Sequence, residues 1–324
     1  MSPKKWILNG LRIGAGFAIL GFLFFKIDIS EFIEIIKKAN LSLFLITLIS
    51  YILVQIIFSF RWQLLLKVFQ LFIPLISLLK AYLIGLFWTN LIPTAIGGDV
   101  VRGYYMYRYT KKGKEVAISV IVERFTGFTA QVLIGLVALA IIFRSLPDPM
   151  VAWVIIGTTL IYIVSLFILF NQTIFILSER LLQKINAEKL GQMVLKIYDA
   201  ISLYKSAPMV LIQTVFISLM VQAITIVIYY ILSLSLHLSI PLFYFFLFLP
   251  IINIISMIPI TPGGFGLREG VSVTLFGTIG VSQAHALGLS LAWFLVIVLT
   301  SLIGGVLYFL KGTSPPPITP QKPF

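Results

Sequence analysis

Long runs of hydrophobic residues, separated by short polar stretches, dominate the chain. Leu41 to Phe60, Val151 to Phe170 and Ala286 to Leu310 are examples. Each run approaches or exceeds the ~20 residues that an α-helix needs to cross a bilayer. The runs do not alternate with the period of two that membrane β-strands show. The pattern therefore predicts an all-α, polytopic helical membrane protein with about six full spans.

Two apolar segments are interrupted, and they predict re-entrant or broken-helix hairpins instead of full spans. Ile240–Ile260 is expected to break at Pro250, because proline removes a helical hydrogen bond. Phe69–Ile96 has basic residues on both sides, so it should enter and leave the membrane on the same side. Its interruptions are Pro74, Lys80, Asn90 and Pro93. Irregular backbone in a bilayer needs cover from protein or a wet cavity, so this hairpin should lie within the bundle.

The distribution of charge predicts the orientation. Most of the 24 basic residues fall in segments that the positive-inside rule assigns to the cytoplasm, so both termini are expected on the cytoplasmic side of the cell membrane. Ile27–Asn40 is amphipathic and is expected to form a short helix on the outer surface. Residues 1–312 are expected to form a single membrane domain, followed by a disordered, proline-rich tail at 313–324.

Composition excludes several classes of function. The net charge of +13 is explained by basic membrane loops, and no nucleic-acid partner is expected. The chain has no cysteine, which excludes disulfides, thiolate metal sites and a cysteine nucleophile. Its two histidines, His237 and His285, lie far apart in sequence. Neither a metal ion nor another cofactor is expected.

Two glycine-rich passages align without a gap and share the pattern P-x-x-x-G-G-x-x-x-R. The first is Pro93–Arg102 and the second, 166 residues later, is Pro259–Arg268. They indicate pseudo-repeats at about 41–171 and 207–310. Three predicted full spans separate the two copies, so the copies should face opposite sides of the membrane. Inverted repeats with interrupted helices are the usual architecture of transporters.

Each passage has the chemistry of an anion site. If a glycine pair opens a helix, its free N–H groups and the positive end of the helix dipole favour an anion. Arg102 or Arg268 at the same offset is suited to a bidentate pair with phosphate or carboxylate. The alternative is that proline and glycine only punctuate the helices and that the arginines are headgroup anchors. Glu269 is expected to be a local partner of Arg268 rather than a general acid.

Two further charges fall within a predicted span. Glu123 and Arg124 lie in Val116–Ile142, where a charged side chain at mid-membrane costs about 2.5–3.5 kcal/mol on insertion scales. Each should therefore face the bundle interior and have a partner. Asp99 is the candidate partner for Arg124, and Arg102 is the candidate for Glu123. Whether these pairs clamp the first glycine loop or contact substrate stays open at this point.

These residues also resemble a known family. The matching passages are Asn90-Leu91-Ile92-Pro93-x-x-x-Gly97-Gly98-Asp99-x-x-Arg102, Glu123-Arg124 and Pro259-x-Thr261-Pro262-Gly263-Gly264-x-Gly266-x-Arg268-Glu269-Gly270. They are similar to the lysylphosphatidylglycerol synthase transmembrane-region family, also called flippase-like membrane proteins. The resemblance implies a module that translocates an aminoacylated phospholipid made by an attached transferase domain, or, as in some archaeal relatives, a link to dolichol-dependent glycosylation. Only a short tail follows Leu310, so no transferase domain is expected.

The leading hypothesis is a flippase or scramblase for an anionic phospholipid or a polyprenyl-phosphate-linked sugar. Membrane lipids are the expected partners, and homo-oligomerisation stays open. The candidate substrate-binding residues are Gly97, Gly98, Asp99, Arg102, Glu123, Arg124, Gly263, Gly264, Arg268 and Glu269. One alternative is a membrane-embedded transferase or hydrolase for a lipid-linked phosphate, with Asp99 or Glu123 as base; another is a small-anion secondary transporter. No nucleotide-binding loop of the form G-x-x-x-x-G-K-[ST] occurs, so an ion gradient or the lipid's own gradient would supply the energy.

Overall fold

The computed structural model describes residues 21–23, 29–92, 97–143, 146, 148–170, 203–258, 261 and 264–311. These residues form ten α-helices and a 3₁₀ turn at Tyr204–Ser206. The helices are α1 (Ile29–Lys38), α2 (Leu41–Lys67), α3 (Leu75–Leu91), α4 (Gly97–Thr110), α5 (Gly113–Ile142), α6 (Pro149–Phe170), α7 (Pro208–Ser235), α8 (Leu242–Ser256), α9 (Leu267–Gly277) and α10 (Gln283–Lys311). Nearly all of the predicted first span, Trp6–Phe25, lies outside the described residues, as do Gly263 and the proline-rich tail.

Four of the described helices are long and apolar enough to cross a membrane. They are α2, α5, α7 and the Gln283–Leu310 part of α10. They coincide to within about one helical turn with the spans that the hydrophobic pattern predicts at Leu41–Leu66, Val116–Ile142, Pro208–Leu236 and Ala286–Leu310. α6 coincides with the predicted span Met150–Phe170. The all-α, polytopic membrane fold predicted from the hydrophobic runs is confirmed.

The two interrupted segments differ from the prediction in where they break. α3 continues through Lys80 and Asn90, and α8 continues through Pro250. The expected break at Pro250 was therefore wrong. Proline is tolerated in membrane helices where neighbouring helices, side chains or local adjustment satisfy the backbone groups that it frees. The Pro250 side chain packs near Gly135 of α5, where a Cβ would lie at an ordinary contact distance of 3.7 Å.

The helices of the first part of the chain have the same neighbours as those of the second part. α2, α3, α4 and α5 correspond in order to α7, α8, α9 and α10. Four helix contacts recur between the two parts. They are α2–α3 as α7–α8, α3–α4 as α8–α9, α4–α5 as α9–α10, and α2–α5 as α7–α10. The contact of α3 with α10 likewise recurs as α8 with α5. Both α3 and α8 also begin directly after a proline of nearly identical backbone conformation, Pro74 and Pro241.

The corresponding helices α2 and α7 pack against each other and run antiparallel. At one end, the Asn40 backbone N–H donates to the Ser235 carbonyl over 2.7 Å. Further along, the Arg61 guanidinium donates to the Ser218 hydroxyl over 2.8 Å. Residue numbers therefore rise along α2 while they fall along α7.

The surface helix α1 confirms the amphipathic prediction for Ile27–Asn40. It packs on α10, where the Phe32 and Ile35 side chains each lie 3.8 Å from the Cβ position of Gly288. Glu31 reaches the start of α10 through an ion pair with His285 Nδ1 at 3.1 Å and accepts a hydrogen bond from Ser282. A polar cavity of about 590 Å³ adjoins these residues. α1 thus covers the ends of the second four-helix segment.

Candidate functional site

A buried carboxylate, Glu123, joins its own helix to three others near one end of the bundle. Glu123 of α5, only 1% exposed, accepts a hydrogen bond from Arg102 Nη1 of α4 at 2.7 Å. It also accepts one from Arg61 Nη2 of α2 at 2.9 Å, and one from the Tyr82 hydroxyl of α3. A buried charge is tolerated when it is paired and its lone pairs are hydrogen-bonded, which is the condition met here. Glu123 therefore holds α2, α3, α4 and α5 at a common point.

A second carboxylate extends the cluster toward the surface. Asp99, in the first turn of α4, accepts a hydrogen bond from Arg102 Nε at 2.8 Å and another from Arg124 Nε. Both pairs predicted from the sequence, Arg102 with Glu123 and Arg124 with Asp99, are present. They clamp the start of α4 to α5. The cluster of Arg61, Asp99, Arg102, Glu123 and Arg124 contains three guanidinium groups and two carboxylates.

Aromatic rings enclose the inner arginine. The Arg102 guanidinium lies 4.3 Å from the ring centre of Tyr82 and 4.7 Å from that of Trp62. Trp62 is itself fixed, because its indole N–H donates to the Ser119 hydroxyl over 2.9 Å. Cations over aromatic faces gain electrostatic stabilisation that grows with desolvation. Arg102 is thus held inside the protein, whereas Asp99 (19% exposed) and Arg124 (35% exposed) form the open edge of the cluster.

Sequence reasoning missed Arg61 and Tyr82. Arg61 directly follows the hydrophobic run Leu41–Phe60, a position typical of a headgroup anchor, but it lies six residues inside α2 and is buried. Its Nη1 reaches Ser218 of α7, and its Nε has no hydrogen-bond partner among the described residues. An arginine flanked by Phe60 and Trp62 inside a hydrophobic run was the available signal. Tyr82 carries no such signal, because tyrosine is common in membrane helices.

The turn before α7 is fixed at the same end of the bundle. Tyr204 is fully buried, and its hydroxyl donates to the Leu65 carbonyl of α2 over 2.9 Å. Burial raises the pKa of the Tyr204 phenol far above its ordinary value, and the negative charge of Glu123 raises it further. The phenol therefore stays protonated and acts as a donor over the whole physiological range.

The first glycine pair allows two helices to touch. Gly97 and Gly98 begin α4 and are buried. A Cβ on Gly98 would overlap the Thr89 hydroxyl and the Gly85 carbonyl of α3, and one on Gly85 would lie 2.9 Å from the Gly98 carbonyl oxygen. The two backbones are in contact with no room for side chains between them. The first glycine pair thus permits the close approach of two helix backbones.

The second glycine passage carries a different arrangement. Glu269, fully buried, accepts hydrogen bonds from the Gly266 N–H at 2.6 Å and from Arg268 Nε at 3.0 Å. Arg268 Nη2 also donates to it, and so does the Ser290 hydroxyl of α10 over 3.4 Å. The Arg268 guanidinium lies 5.2 Å from the ring centre of Phe294. Glu269 is the local partner of Arg268, as predicted.

Positive φ angles at this second passage need glycine. Gly266 (φ 83°) precedes α9, and Gly264 (φ 75°) is packed so that a Cβ would lie 2.9 Å from the Ser256 side chain. The predicted site residue Gly263 lies outside the described residues. Among the residues that the structure does describe, no group of three or more potential metal ligands is gathered at either passage or elsewhere.

Fold and site together define a multi-pass helical membrane protein with a buried arginine–carboxylate cluster at a glycine-initiated helix. The sequence matches the family described as the lysylphosphatidylglycerol synthase TM region over residues 8–305. The chain belongs to this family.

Three archaeal proteins, each named UPF0104 membrane protein, are similar to the chain over most of its length. The one from Pyrococcus horikoshii is 24% identical over 94% of this chain and 96% of its own. The one from Methanocaldococcus jannaschii is 24% identical over 84% and 87%, respectively. The one from Methanothermobacter thermautotrophicus is 24% identical over 85% and 87%.

Proposed function

We propose that the chain translocates an anionic lipid, either a phospholipid or a polyprenyl-phosphate-linked sugar, across the cell membrane, with both of its termini in the cytoplasm. The observation that carries the proposal is the open edge of the arginine cluster, where Arg124 is 35% exposed beside Asp99 at the start of α4. Cationic groups are rarely placed in an apolar bundle without a functional reason. Membership of a family defined on a lipid synthase supports the choice of a lipid.

The arrangement of the two four-helix segments supports a transport cycle. Corresponding helices have corresponding neighbours, and α2 and α7 run antiparallel. These are the relations expected of an inverted repeat, in which one half can rock against the other and expose a site to each side in turn. In this proposal the α3–α4 and α8–α9 pairs are the two re-entrant hairpins, opening toward opposite leaflets.

Arg124 and Asp99 are the proposed contact for the headgroup phosphate. A phosphate group reaching Arg124 would replace the Asp99 carboxylate, because both groups can present two oxygens to a planar guanidinium. Arg102 and Glu123 then act as positioning residues that hold the helix start in place. On the opposite side, Arg268 is 11% exposed and offers the corresponding guanidinium. The hydrocarbon chains of the lipid stay in the bilayer throughout.

Reconstitution tests the proposal. Liposomes with fluorescent phosphatidylglycerol in the inner and outer leaflets are treated with an impermeant quencher, and the rate of loss of the protected fraction is measured. The protein should accelerate this loss over empty liposomes, Arg124→Gln and Arg268→Gln should each slow it at least tenfold, and Lys114→Gln should leave it unchanged. Lys114 is the matched control because it is an exposed cation near the start of the same helix as Arg124. Absence of acceleration with both fluorescent phosphatidylglycerol and a fluorescent polyprenyl phosphate contradicts the proposal.

A transferase or hydrolase acting on a lipid-linked phosphate is less well supported. Its candidate bases were Asp99 and Glu123, and each is engaged by two guanidinium groups. A general base needs a free lone pair directed at the proton that it removes. We propose that neither carboxylate takes part in covalent chemistry. Thin-layer chromatography of the lipids after incubation separates the two functions, since transport leaves every lipid chemically unchanged.

A further inference from the structure

The two arginine passages place their carboxylates in different positions. An offset of 166 residues relates Arg102 to Arg268, and the same offset relates Glu123 to Leu289 and Gly103 to Glu269. In the first half Arg102 pairs with Asp99 of its own helix and also with Glu123 of the next helix, α5. In the second half the pairing carboxylate comes from the adjacent residue of the same helix, α9. The halves share a scaffold but differ in which elements their ion pairs connect.

In the first half the ion pairs tie α4 to its surroundings. Glu123 of α5 binds Arg102 of α4 and Arg61 of α2, and Arg124 of α5 binds Asp99 of α4. Moving α4 away from α5 would separate buried opposite charges. Breaking a buried pair leaves an uncompensated charge in a region of low dielectric, which strongly opposes the movement.

In the second half the ion pair stays within the moving unit. Glu269 accepts from Arg268 and from the Gly266 backbone, so these contacts travel with the start of α9. Toward α10, Glu269 accepts a 3.4 Å hydrogen bond from Ser290, the residue that corresponds to Arg124, and the Arg268 guanidinium lies 5.2 Å from the ring centre of Phe294. A hydrogen bond of this length is weak compared with the short bonds between opposite charges in the first half, and the ring carries no net charge.

α9 has a firm partner on one side and open space on another. Its Phe276 packs against Phe245 and Phe248 of α8, with ring centres 5.4 and 5.3 Å apart. A largely apolar cavity of about 310 Å³ lies between α9, α8 and the start of α6, and is lined in part by Gly270 and Met150. Packed interiors resist displacement, whereas a void of this size accepts it. α8 and α9 can therefore shift together without breaking an ion pair.

We infer that the two halves have unequal roles in transport: α4 is the static side of the pathway, and α9 is the element that moves. The inference rests on the proposed translocation of a lipid, and it identifies which arginine changes its surroundings during the cycle. Arg268 is carried with α9, while Arg102 stays fixed against α5 and α2.

Paired spin labels test this directly, because the chain has no cysteine of its own. The first pair is Tyr104→Cys with Val137→Cys, on α4 and α5, and the second is Thr274→Cys with Ile303→Cys, on α9 and α10. All four side chains are exposed. In proteoliposomes, double electron–electron resonance should give one narrow distance distribution for the first pair, and a distribution at least twice as wide, or with two maxima, for the second. Equal widths, or a wider first pair, overturn the inference.

Two charge variants test whether the position of the carboxylate decides which helix moves. Glu123→Gln, which is nearly isosteric, should widen the first pair's distribution at least twofold; an unchanged width shows that the ion pairs do not fix α4. Leu289→Glu combined with Glu269→Gly moves the carboxylate to α10, as in the first half, and should narrow the second pair's distribution. If that double variant does not fold, the Glu123→Gln result decides alone. Distances are measured independently of lipid movement, so a protein that shows the asymmetry but moves no lipid contradicts only the proposed function.

Discussion

Arg61 and Ser218 are 157 residues apart in sequence, yet the Arg61 guanidinium donates to the Ser218 hydroxyl over 2.8 Å in the interior of the bundle. This hydrogen bond connects the charged cluster of the first four-helix segment to α7 of the second. Arg61 also binds Glu123, so one side chain links both halves to the same carboxylate. A shift of α7 would therefore change the position of Arg61 relative to Glu123 in the cluster.

Loss of the Ser218 hydroxyl should therefore destabilise the protein more than an ordinary serine substitution. Ser218→Ala leaves a buried guanidinium nitrogen without its acceptor, and hydrogen bonds to charged groups contribute about 1.5–3 kcal/mol. Ser233→Ala on the same helix is the control, because the buried Ser233 bonds only to the carbonyl of Tyr230 in its own helix. The free energy of unfolding in mixed micelles should fall clearly further for Ser218→Ala. Equal losses for the two variants would show that the link between the halves is not stabilising.

Removal of the central carboxylate should have the largest effect of any single charge substitution in the described part of the chain. Glu123→Ala leaves Arg61 and Arg102 buried without their shared partner, and breaking a buried pair in this way costs about 3–5 kcal/mol. Glu34→Gln is the comparison, since Glu34 lies in an exposed ion pair with Lys38 that is 62% exposed on the glutamate side. Thermal unfolding followed by tryptophan fluorescence should shift strongly for the first variant and hardly at all for the second. A shift of similar size in both would contradict the role given to Glu123.

Two of the three glycines of α4, Gly98 and Gly103, should respond in opposite ways to alanine. Gly98→Ala drives a methyl group into the Thr89 hydroxyl and the Gly85 carbonyl, whereas Gly103 has open space where its Cβ would lie. Gly103→Ala should stabilise the helix by roughly 0.5–1 kcal/mol, because it removes backbone freedom from the unfolded chain. Gly98→Ala should lower the yield of folded protein and its unfolding temperature. A neutral Gly98→Ala in size-exclusion and thermal-unfolding experiments would be incompatible with the observed contact of α3 and α4.

Arginine-to-lysine substitutions should separate the inner and outer members of the cluster. Arg102 binds Asp99 and Glu123 through different nitrogens and stacks on Tyr82, which a lysine ammonium cannot reproduce. Arg102→Lys should therefore cost about 2 kcal/mol or more of stability, in the range expected for damage to a buried charged network. Arg124→Lys keeps a positive charge at the partly exposed edge and should change stability by less than about 1 kcal/mol. Denaturant unfolding of the two variants, measured side by side, checks the difference, and a reversed order would contradict the assignment of inner and outer roles.

The sequence was sufficient to predict the ion pairs because charge is scarce in the membrane segments. With so few candidates, Arg102 could be matched to Glu123 and Arg124 to Asp99, and both contacts are present. Arg61 was not predicted as a member of the cluster, because its position near the end of a hydrophobic run is equally typical of a headgroup anchor. Only the packing of α2 against α5 and α7 decides between an anchor and a buried bridge.

Helix continuity could not be read from local propensity. Proline usually breaks a helix, yet α8 passes through Pro250, as a membrane helix can where its surroundings satisfy the freed backbone groups. The same limitation applies to the first glycine pair, whose purpose depends on Gly85 of another helix. Tertiary neighbours override local preference at both positions, and the neighbours are not adjacent in sequence.

The different positions of the carboxylate, Glu123 in one half and Glu269 in the other, have a practical consequence for comparing the two halves of the chain. Gly98 and Gly264 occupy matching places at the offset of 166 residues, while Glu123 corresponds to Leu289 and not to Glu269. An alignment of the halves that matched these two carboxylates would be displaced by 20 positions from the one that matches the glycines. The glycine positions therefore set the register in which the two halves are compared.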